Sequence, residues 1–170
     1  MYKTIDNFIP KEKFKDIQEV MMSENFNWFF QNYVVGDQVS TKEGNSGQDD
    51  YFFSHIFFNK KLGINSPHYG FILSPIFKVL NADKIIRVKA NLYINHNKKV
   101  EHGYHIDYPD LKHKVALFSI NTNDGYTELE NIGSFKSIEN RMLIFDGDIK
   151  HRSVTQTDCK RRVNININYI

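Results

Sequence analysis

Two histidines and one carboxylate in the second half of the chain have the residue types of a metal site. His105 and Asp107 lie two positions apart, and His151 follows later in the chain. In a strand, residues at i and i+2 leave the same face with Cα atoms roughly 6.5–7 Å apart, whereas in a helix they point about 200° apart. The sequence predicts a strand over 102–108, which would allow His105 and Asp107 to bind one ion.

These residue types favour iron. Two histidines and one carboxylate on one face of an octahedral metal leave the other positions open, and this arrangement is typical of non-haem Fe(II) oxygen chemistry. Arg162, further along the chain, supplies a cation that would hold an acid. Each short motif alone is common, and Asp107 before Tyr108-Pro109 also suits a turn. The order of the four residues together favours a metal site.

The other histidines are predicted not to bind the metal. His102 lies an odd number of residues from His105, so a regular strand would turn it to the opposite face. His113 falls in a loop. Three further histidines have no partner at ligand spacing, namely His55, His68 and His96.

Composition and charge predict one globular domain. A chain of 170 residues can bury a single core, and 41% hydrophobic with 14% aromatic residues argue against a disordered protein. A net charge of +2 is too small to indicate a nucleic-acid partner or a membrane anchor. Cys159 is the only cysteine, which excludes an internal disulfide and favours a reducing compartment. Because no secretion signal or bilayer-spanning apolar run is evident, we expect a cytoplasmic protein.

The elements that would position the site change from helices to strands along the chain. An apolar stripe predicts a helix over 10–22, and Ser66-Pro67 predicts the start of a second helix, which Pro75 should interrupt or kink. The polar stretch 41–47 is interpreted as a mobile loop and a candidate lid. Strands are predicted at 51–58, 85–95, 102–108, 114–121, 126–130, 141–146, 149–155 and 161–169. This order predicts an antiparallel sheet pair or barrel with helices packed outside.

The last predicted strand alternates strictly between apolar and polar residues. One face carries Val163, Ile165, Ile167 and Tyr169, and the other carries Arg162, Asn164, Asn166 and Asn168. The apolar face should pack against the helices. The polar face either meets water at a sheet edge or looks into a cavity, where unpaired buried polar groups would cost on the order of 1–3 kcal/mol each unless a polar ligand pairs with them. The position of Arg162 after His151 favours the cavity.

His105-x-Asp107, His151 and Arg162, spread over successive predicted strands, resemble the motif of the 2-oxoglutarate/Fe(II)-dependent dioxygenases, especially the prolyl-4-hydroxylase-like branch. The resemblance covers 85–169. It implies an α+β, mainly β fold, a double-stranded β-helix (jelly roll) over 84–170 with a helical support and lid region over 1–83, in one domain. Short proteins similar to this family are common in bacteriophage genomes, which would place the protein in a host cytoplasm.

The resemblance also implies the cofactors and the role of each site residue. The expected cofactors are Fe(II), 2-oxoglutarate and O2. Fe(II) would be held by His105, Asp107 and His151. Arg162 would pair with the distal carboxylate of 2-oxoglutarate, and strand parity prefers it to Arg161.

Three further residues are expected at the cosubstrate. Tyr93 falls where related enzymes often carry a tyrosine that donates its hydroxyl to the same acid. Ser119 stands where prolyl-hydroxylase-like relatives often place a second tyrosine, so this sequence provides a shorter donor or one donor fewer. Thr127 follows a turn where relatives commonly have Gly-Gly, and is a candidate pocket residue.

The activity implied by the resemblance is hydroxylation of an unidentified small-molecule or peptide substrate, with release of succinate and CO2. A prolyl or other protein side chain is favoured slightly, and the retained Asp107 favours hydroxylation over halogenation. Two alternatives stay open. One is a non-catalytic β-sandwich binding module, and the other is a cupin-type isomerase or hydrolase that uses zinc or manganese.

Overall fold

The computed structural model describes residues 1–34 and 50–170. Within these ranges the helices are α1 (Lys11–Met21) and α2 (Tyr69–Leu80). The strands are β1 (Tyr2–Ile5), β2 (Phe29–Gln31), β3 (Phe52–Asn59), β4 (Gly63–Ile64), β5 (Ile85–Ile94), β6 (Lys114–Ser119), β7 (Tyr126–Leu129), β8 (Gly133–Lys136), β9 (Met142–Asp146), β10 (His151–Val154) and β11 (Arg161–Tyr169). No helix in the described part of the chain is long and apolar enough to cross a membrane.

The strands of the described residues form two antiparallel sheets. The larger sheet has eight strands in the order β1-β9-β6-β11-β5-β3-β2, with β4 paired to β3, and the smaller one has the order β10-β7-β8. Because β1, β2 and β3 join the larger sheet, both halves of the chain contribute to it. The predicted α+β, mainly β jelly roll with supporting N-terminal helices is confirmed.

The core lies between the larger sheet and the two helices. The apolar stripe of α1 comprises Phe14, Ile17 and Met21, which repeat every three to four residues and are fully buried. They form one cluster with Ile72, Leu73 and Ile76 of α2 and with Val163, Ile165, Ile167 and Tyr169 of β11. The predicted apolar face of the last strand therefore packs against the helices.

The polar face of β11 is buried as well. β11 is a central strand between β6 and β5, not an edge strand. Arg162 is 2% exposed, and Asn168 is fully buried. Their side chains are turned away from the helix layer by strand alternation, and they therefore line the interior between the two sheets. The cavity interpretation of this face holds, and the solvent-edge interpretation is wrong.

The predicted strand over 102–108 is wrong. Within this segment the only bridge joins His105 to His151, next to a bridge from Glu101 to Val154, and the chain bends at Asp107. The segment crosses from β5 to β6 and enters a turn at Pro109, so it has no continuous partner strand. The parity argument for His105 and Asp107 consequently does not apply, although the two side chains do converge.

The prediction for the second helix is also wrong in two details. α2 begins at Tyr69, and the Ser66 hydroxyl instead accepts a hydrogen bond from the His68 backbone N–H at 3.1 Å in the preceding turn. The helix continues through Pro75, so the predicted interruption is wrong, and the alternative of a kink stays a prediction. Pro75 leaves the carbonyl of residue 71 without its helical donor, but Phe71 is 54% exposed, so water can satisfy this carbonyl.

Candidate metal centre

His105, Asp107 and His151 meet at one point inside the jelly roll. Their candidate ligand atoms all lie within 4.8 Å of one another. The Nε2 atoms of both histidines are 4.0 Å from the carboxylate of Asp107. The backbones of the two histidines exchange N–H···O bonds of 3.0 Å, which brings together residues that are far apart in the chain. The three side chains are close enough to bind one ion.

Both imidazoles present the same nitrogen to this point. His105 Nδ1 lies 3.3 Å from the Gly103 carbonyl oxygen, and His151 Nδ1 lies 3.4 Å from the Ile149 carbonyl oxygen. An Nδ1–H that donates to a carbonyl leaves the Nε2 lone pair free for a metal. Burial lowers the pKa of His105, and burial with the neighbouring His105 lowers the pKa of His151 to about 4. Both rings are therefore neutral at pH 7, as metal ligands must be.

Asp107 is held in place by three donors. Arg87 Nη2 lies 2.7 Å from Oδ1, while the side-chain amides of Asn166 and Asn168 donate to Oδ2 at 3.2 and 2.8 Å. Burial alone would raise the pKa of Asp107, but the Arg87 charge and the Asn168 hydrogen bond contribute to keeping it well below its usual range. The carboxylate is thus ionised and oriented without a metal.

The three residues that hold Asp107 were missed as site residues by sequence reasoning. Arg87 lies an even number of residues from Tyr93 on β5, so the two side chains share a strand face, and this spacing could have indicated that Arg87 belongs to the site. Asn166 and Asn168 were assigned to the polar face of β11, but their acceptor could not be named. The acceptor lies on a distant, irregular segment that no sequence periodicity connects to β11.

Arg162 lies further along the same interior face. Its Nε donates to the Ser137 hydroxyl at 2.7 Å and its Nη2 donates to the Thr127 hydroxyl at 2.9 Å. Nη1 is buried and has no hydrogen-bond partner among the described residues. The guanidinium carbon lies 5.3 Å from the centre of the Tyr93 ring. A guanidinium that is oriented by two hydroxyls and has one nitrogen unpaired fits a carboxylate ligand.

Two adjoining cavities connect the metal cluster with Arg162. The first is lined by the three metal-site residues and by Tyr93. The second is lined by Arg162 and Ser119. Both cavities are also lined by Leu117, Thr127 and Asn164. The structure thus brings all seven predicted site residues to one interior region, and Ser137 is an addition that the sequence analysis did not make.

The other arginine and histidines considered in the sequence are not part of the metal cluster. The Arg161 side chain donates to the Met22 carbonyl near the end of α1, outside both cavities. His102 Nδ1 contacts the carbonyl and hydroxyl oxygens of Ser153 at 2.9 and 2.8 Å. His55 contacts the Asn27 carbonyl and the Ser66 hydroxyl, and it is not part of the metal cluster. The candidate lid at 41–47 lies outside the described residues.

No protein-family model matches the sequence, and no curated protein is significantly similar to it. Solved structures do match. A 2OG-Fe(II) oxygenase family oxidoreductase from Burkholderia pseudomallei is 10% identical, with a TM-score of 0.67, over 99% of this chain and 84% of that one. A Trichoplax adhaerens prolyl hydroxylase, in complex with a hypoxia inducible factor peptide fragment, is 14% identical, with a TM-score of 0.66, over 99% and 83%.

A third similar structure is the α-ketoglutarate-dependent epimerase SnoN from nogalamycin biosynthesis, at 9% identity, with a TM-score of 0.62, over 99% of this chain and 78% of that one. At these identities the likeness establishes the fold. The fold of this protein is that of the 2OG-Fe(II) oxygenases, including prolyl hydroxylases. The resemblance noted in the sequence is confirmed at that level.

Proposed function

We propose that this protein is a 2-oxoglutarate- and Fe(II)-dependent dioxygenase that hydroxylates a small-molecule or peptide substrate. One observation carries the proposal. The cluster of His105, Asp107 and His151 stands in a cavity that adjoins the one lined by Arg162, whose buried Nη1 has no partner in the described structure. A metal centre and an acid-binding cation in adjoining spaces are what a metal-bound dicarboxylate requires.

Each residue has a defined task in this proposal. His105, Asp107 and His151 hold Fe(II), with both Nε2 atoms available and the carboxylate already ionised. Arg162 takes the distal carboxylate of 2-oxoglutarate through Nη1, because Nε and one N–H of Nη2 are already bonded to Ser137 and Thr127. Bound Fe(II), 2-oxoglutarate and O2 supply the oxidation, in which the cosubstrate is converted to succinate and CO2.

Three residues around the cosubstrate site carry hydroxyl groups. Tyr93 is 5% exposed and stacks on Phe52, with ring centres 5.8 Å apart. Burial raises the pKa of Tyr93, so its hydroxyl stays protonated and is a donor. Ser119 and Thr127 border the cavity of Arg162 and offer hydroxyls to the same acid.

Hydroxylation is the proposed outcome because Asp107 retains the carboxylate ligand, which leaves no vacated protein position for a halide. The Trichoplax relative carries a peptide fragment, which supports a prolyl or other protein side chain as one substrate class. The epimerase with the same fold supports a small molecule as the other class. We also propose that the protein acts in the cytoplasm.

Anaerobic addition of Fe(II) and 2-oxoglutarate tests the proposal. We expect a visible metal-to-ligand charge-transfer band that needs both components, and slow formation of succinate after O2 is admitted. Zn(II) in place of Fe(II) is the control and should give neither signal. A fully iron-loaded protein without the band would contradict the proposed oxygenase. Catalytic turnover of a substrate with Zn(II) in place of Fe(II) would favour the cupin-type isomerase or hydrolase.

A further inference from the structure

Lys89 lies in the same cavity as the metal cluster and has no role in the mechanism above. It belongs to β5, whose inward-facing residues are Arg87, Lys89, Asn91 and Tyr93. Its partner across the sheet is Asn166, which donates to the metal-site residue Asp107. Lys89 lines the cavity of the metal cluster together with His105 and His151. Its side chain therefore borders the cavity in which the proposed iron would lie.

No carboxylate of residues 1–34 or 50–170 lies within 4.0 Å of the Lys89 amine. Its nitrogen instead lies 5.0 Å from the centre of the Phe52 ring. The other cations of this region differ, since Arg87 pairs with Asp107 and Arg152 pairs with both Glu101 and Glu128. A largely buried ammonium without a carboxylate partner among the described residues costs free energy that an anionic ligand would offset.

We propose that Lys89 binds a carboxylate of the substrate, so that the enzyme oxidises a carboxylic acid such as a free amino acid or an acidic side chain. This inference rests on the proposed function. Both carboxylates of 2-oxoglutarate already have partners in it, one at Arg162 and one at the metal. The acid at Lys89 therefore comes from the substrate, and the carbon that is oxidised lies close to that acid.

Acetate, a small carboxylate probe, tests this proposal, with acetamide as its uncharged control. Each is titrated anaerobically into protein loaded with Fe(II) and 2-oxoglutarate while the charge-transfer band is followed. We expect acetate to perturb the charge-transfer band in wild type and in Lys89→Arg. In Lys89→Met the same perturbation should need at least about tenfold more acetate. Acetamide should have no effect. Lys61→Met, which removes an exposed lysine, should behave as wild type.

A titration with 2-oxoglutarate itself separates the two sources of the acid. In Lys89→Met the concentration needed for half-saturation should stay within about threefold of wild type. Weakening by tenfold or more would assign the Lys89 contact to the cosubstrate and overturn the proposal. Equal acetate binding by wild type and Lys89→Met, or no acetate binding at all, would overturn it as well.

Calorimetry on the metal-free protein distinguishes failure of this inference from failure of the proposed function. Arg162→Met removes the other anion site, and acetate is titrated into this variant with and without Lys89→Met. Acetate binding that depends on Lys89 would support an acid site even if the iron band were absent. Without that dependence the acid site does not exist, whatever metal the protein binds.

Discussion

The guanidinium of Arg87 and the carboxylate of Asp107 form an ion pair directly behind the metal cluster, with Nη2 2.7 Å from Oδ1. The two side chains are only 18% and 7% exposed. Asp107 therefore keeps its orientation through contacts within the protein. The pair links β5 to the irregular segment that carries His105, so it supports both the fold and the proposed metal site.

Replacement of Arg87 by Met should destabilise the metal-free protein by about 3–5 kcal/mol, because it leaves the Asp107 charge buried and unpaired. The pKa of Asp107 should rise, since Arg87 contributes to lowering it. A carboxylate with a depressed folded pKa stabilises above its unfolded pKa of about 3.9, and this contribution is lost as pH falls through the folded value. Acid unfolding of Arg87→Met should consequently begin at a higher pH than that of wild type.

Urea unfolding at several pH values measures both effects. Lys114→Met is the matched control, because it breaks an exposed pair with Asp146 in which the side chains are 47% and 36% exposed. That loss should cost less than about 1 kcal/mol. An equal loss of unfolding free energy in the two variants would show that the buried Arg87–Asp107 pair stabilises the protein no more than an exposed ion pair does.

His151→Ala should abolish Fe(II)-dependent succinate formation and the charge-transfer band, since one of three protein ligands is lost. The secondary structure should be retained, because the apolar core behind β11 does not involve His151. Circular dichroism, iron titration and the succinate assay check the three outcomes. His68→Gln, at a half-buried histidine stacked on Phe26 outside both cavities, serves as the control. Retained iron binding in His151→Ala would mean that the ligand assignment is wrong.

Arg162→Lys should raise the 2-oxoglutarate concentration for half-saturation about 10–100-fold and leave Fe(II) affinity nearly unchanged. The substitution keeps the charge but removes the fork that reaches Ser137, Thr127 and the acid together. Titration of the charge-transfer band with the cosubstrate gives this value. In Arg161→Lys, where the side chain contacts Met22, the value should not move. Unchanged cosubstrate binding in Arg162→Lys would place the distal carboxylate elsewhere.

His102 should make the stability of the metal-free protein fall as the solution is acidified. Burial lowers the pKa of His102 to about 4, compared with about 6.5 in the unfolded chain. Because the unfolded state binds the proton first, stability that is present above pH 6.5 is lost as pH falls toward 4, by on the order of 3 kcal/mol.

Denaturant unfolding between pH 7 and pH 4 checks this expectation. His102→Gln should show a shallower decline than wild type over that range. The decline should not vanish, because burial also lowers the pKa of His55, His105 and His151. Identical slopes for wild type and His102→Gln would show that His102 is not responsible for the loss.

Local sequence signals were sufficient for much of the fold. The alternation in β11 correctly predicted which residues face the helices, since strand geometry fixes sidedness from parity alone. The apolar spacing of α1 correctly predicted its buried face. Pro75 and 102–108 were misjudged because local rules ignore the surroundings. An exposed helix side tolerates a missing hydrogen bond, and a strand-like sequence forms no strand without a partner.

For the site, the sequence by itself determined the residue types. Two imidazoles, a carboxylate and a guanidinium in the observed order indicated the chemistry, because ligand preference is a property of the side chains themselves. Only the tertiary structure decided which other charges stand beside them. Arg87 and Lys89 share a strand face with Tyr93, but their neighbours across the cavity come from distant segments, and Coulomb interactions depend on distance in space, not on separation along the chain.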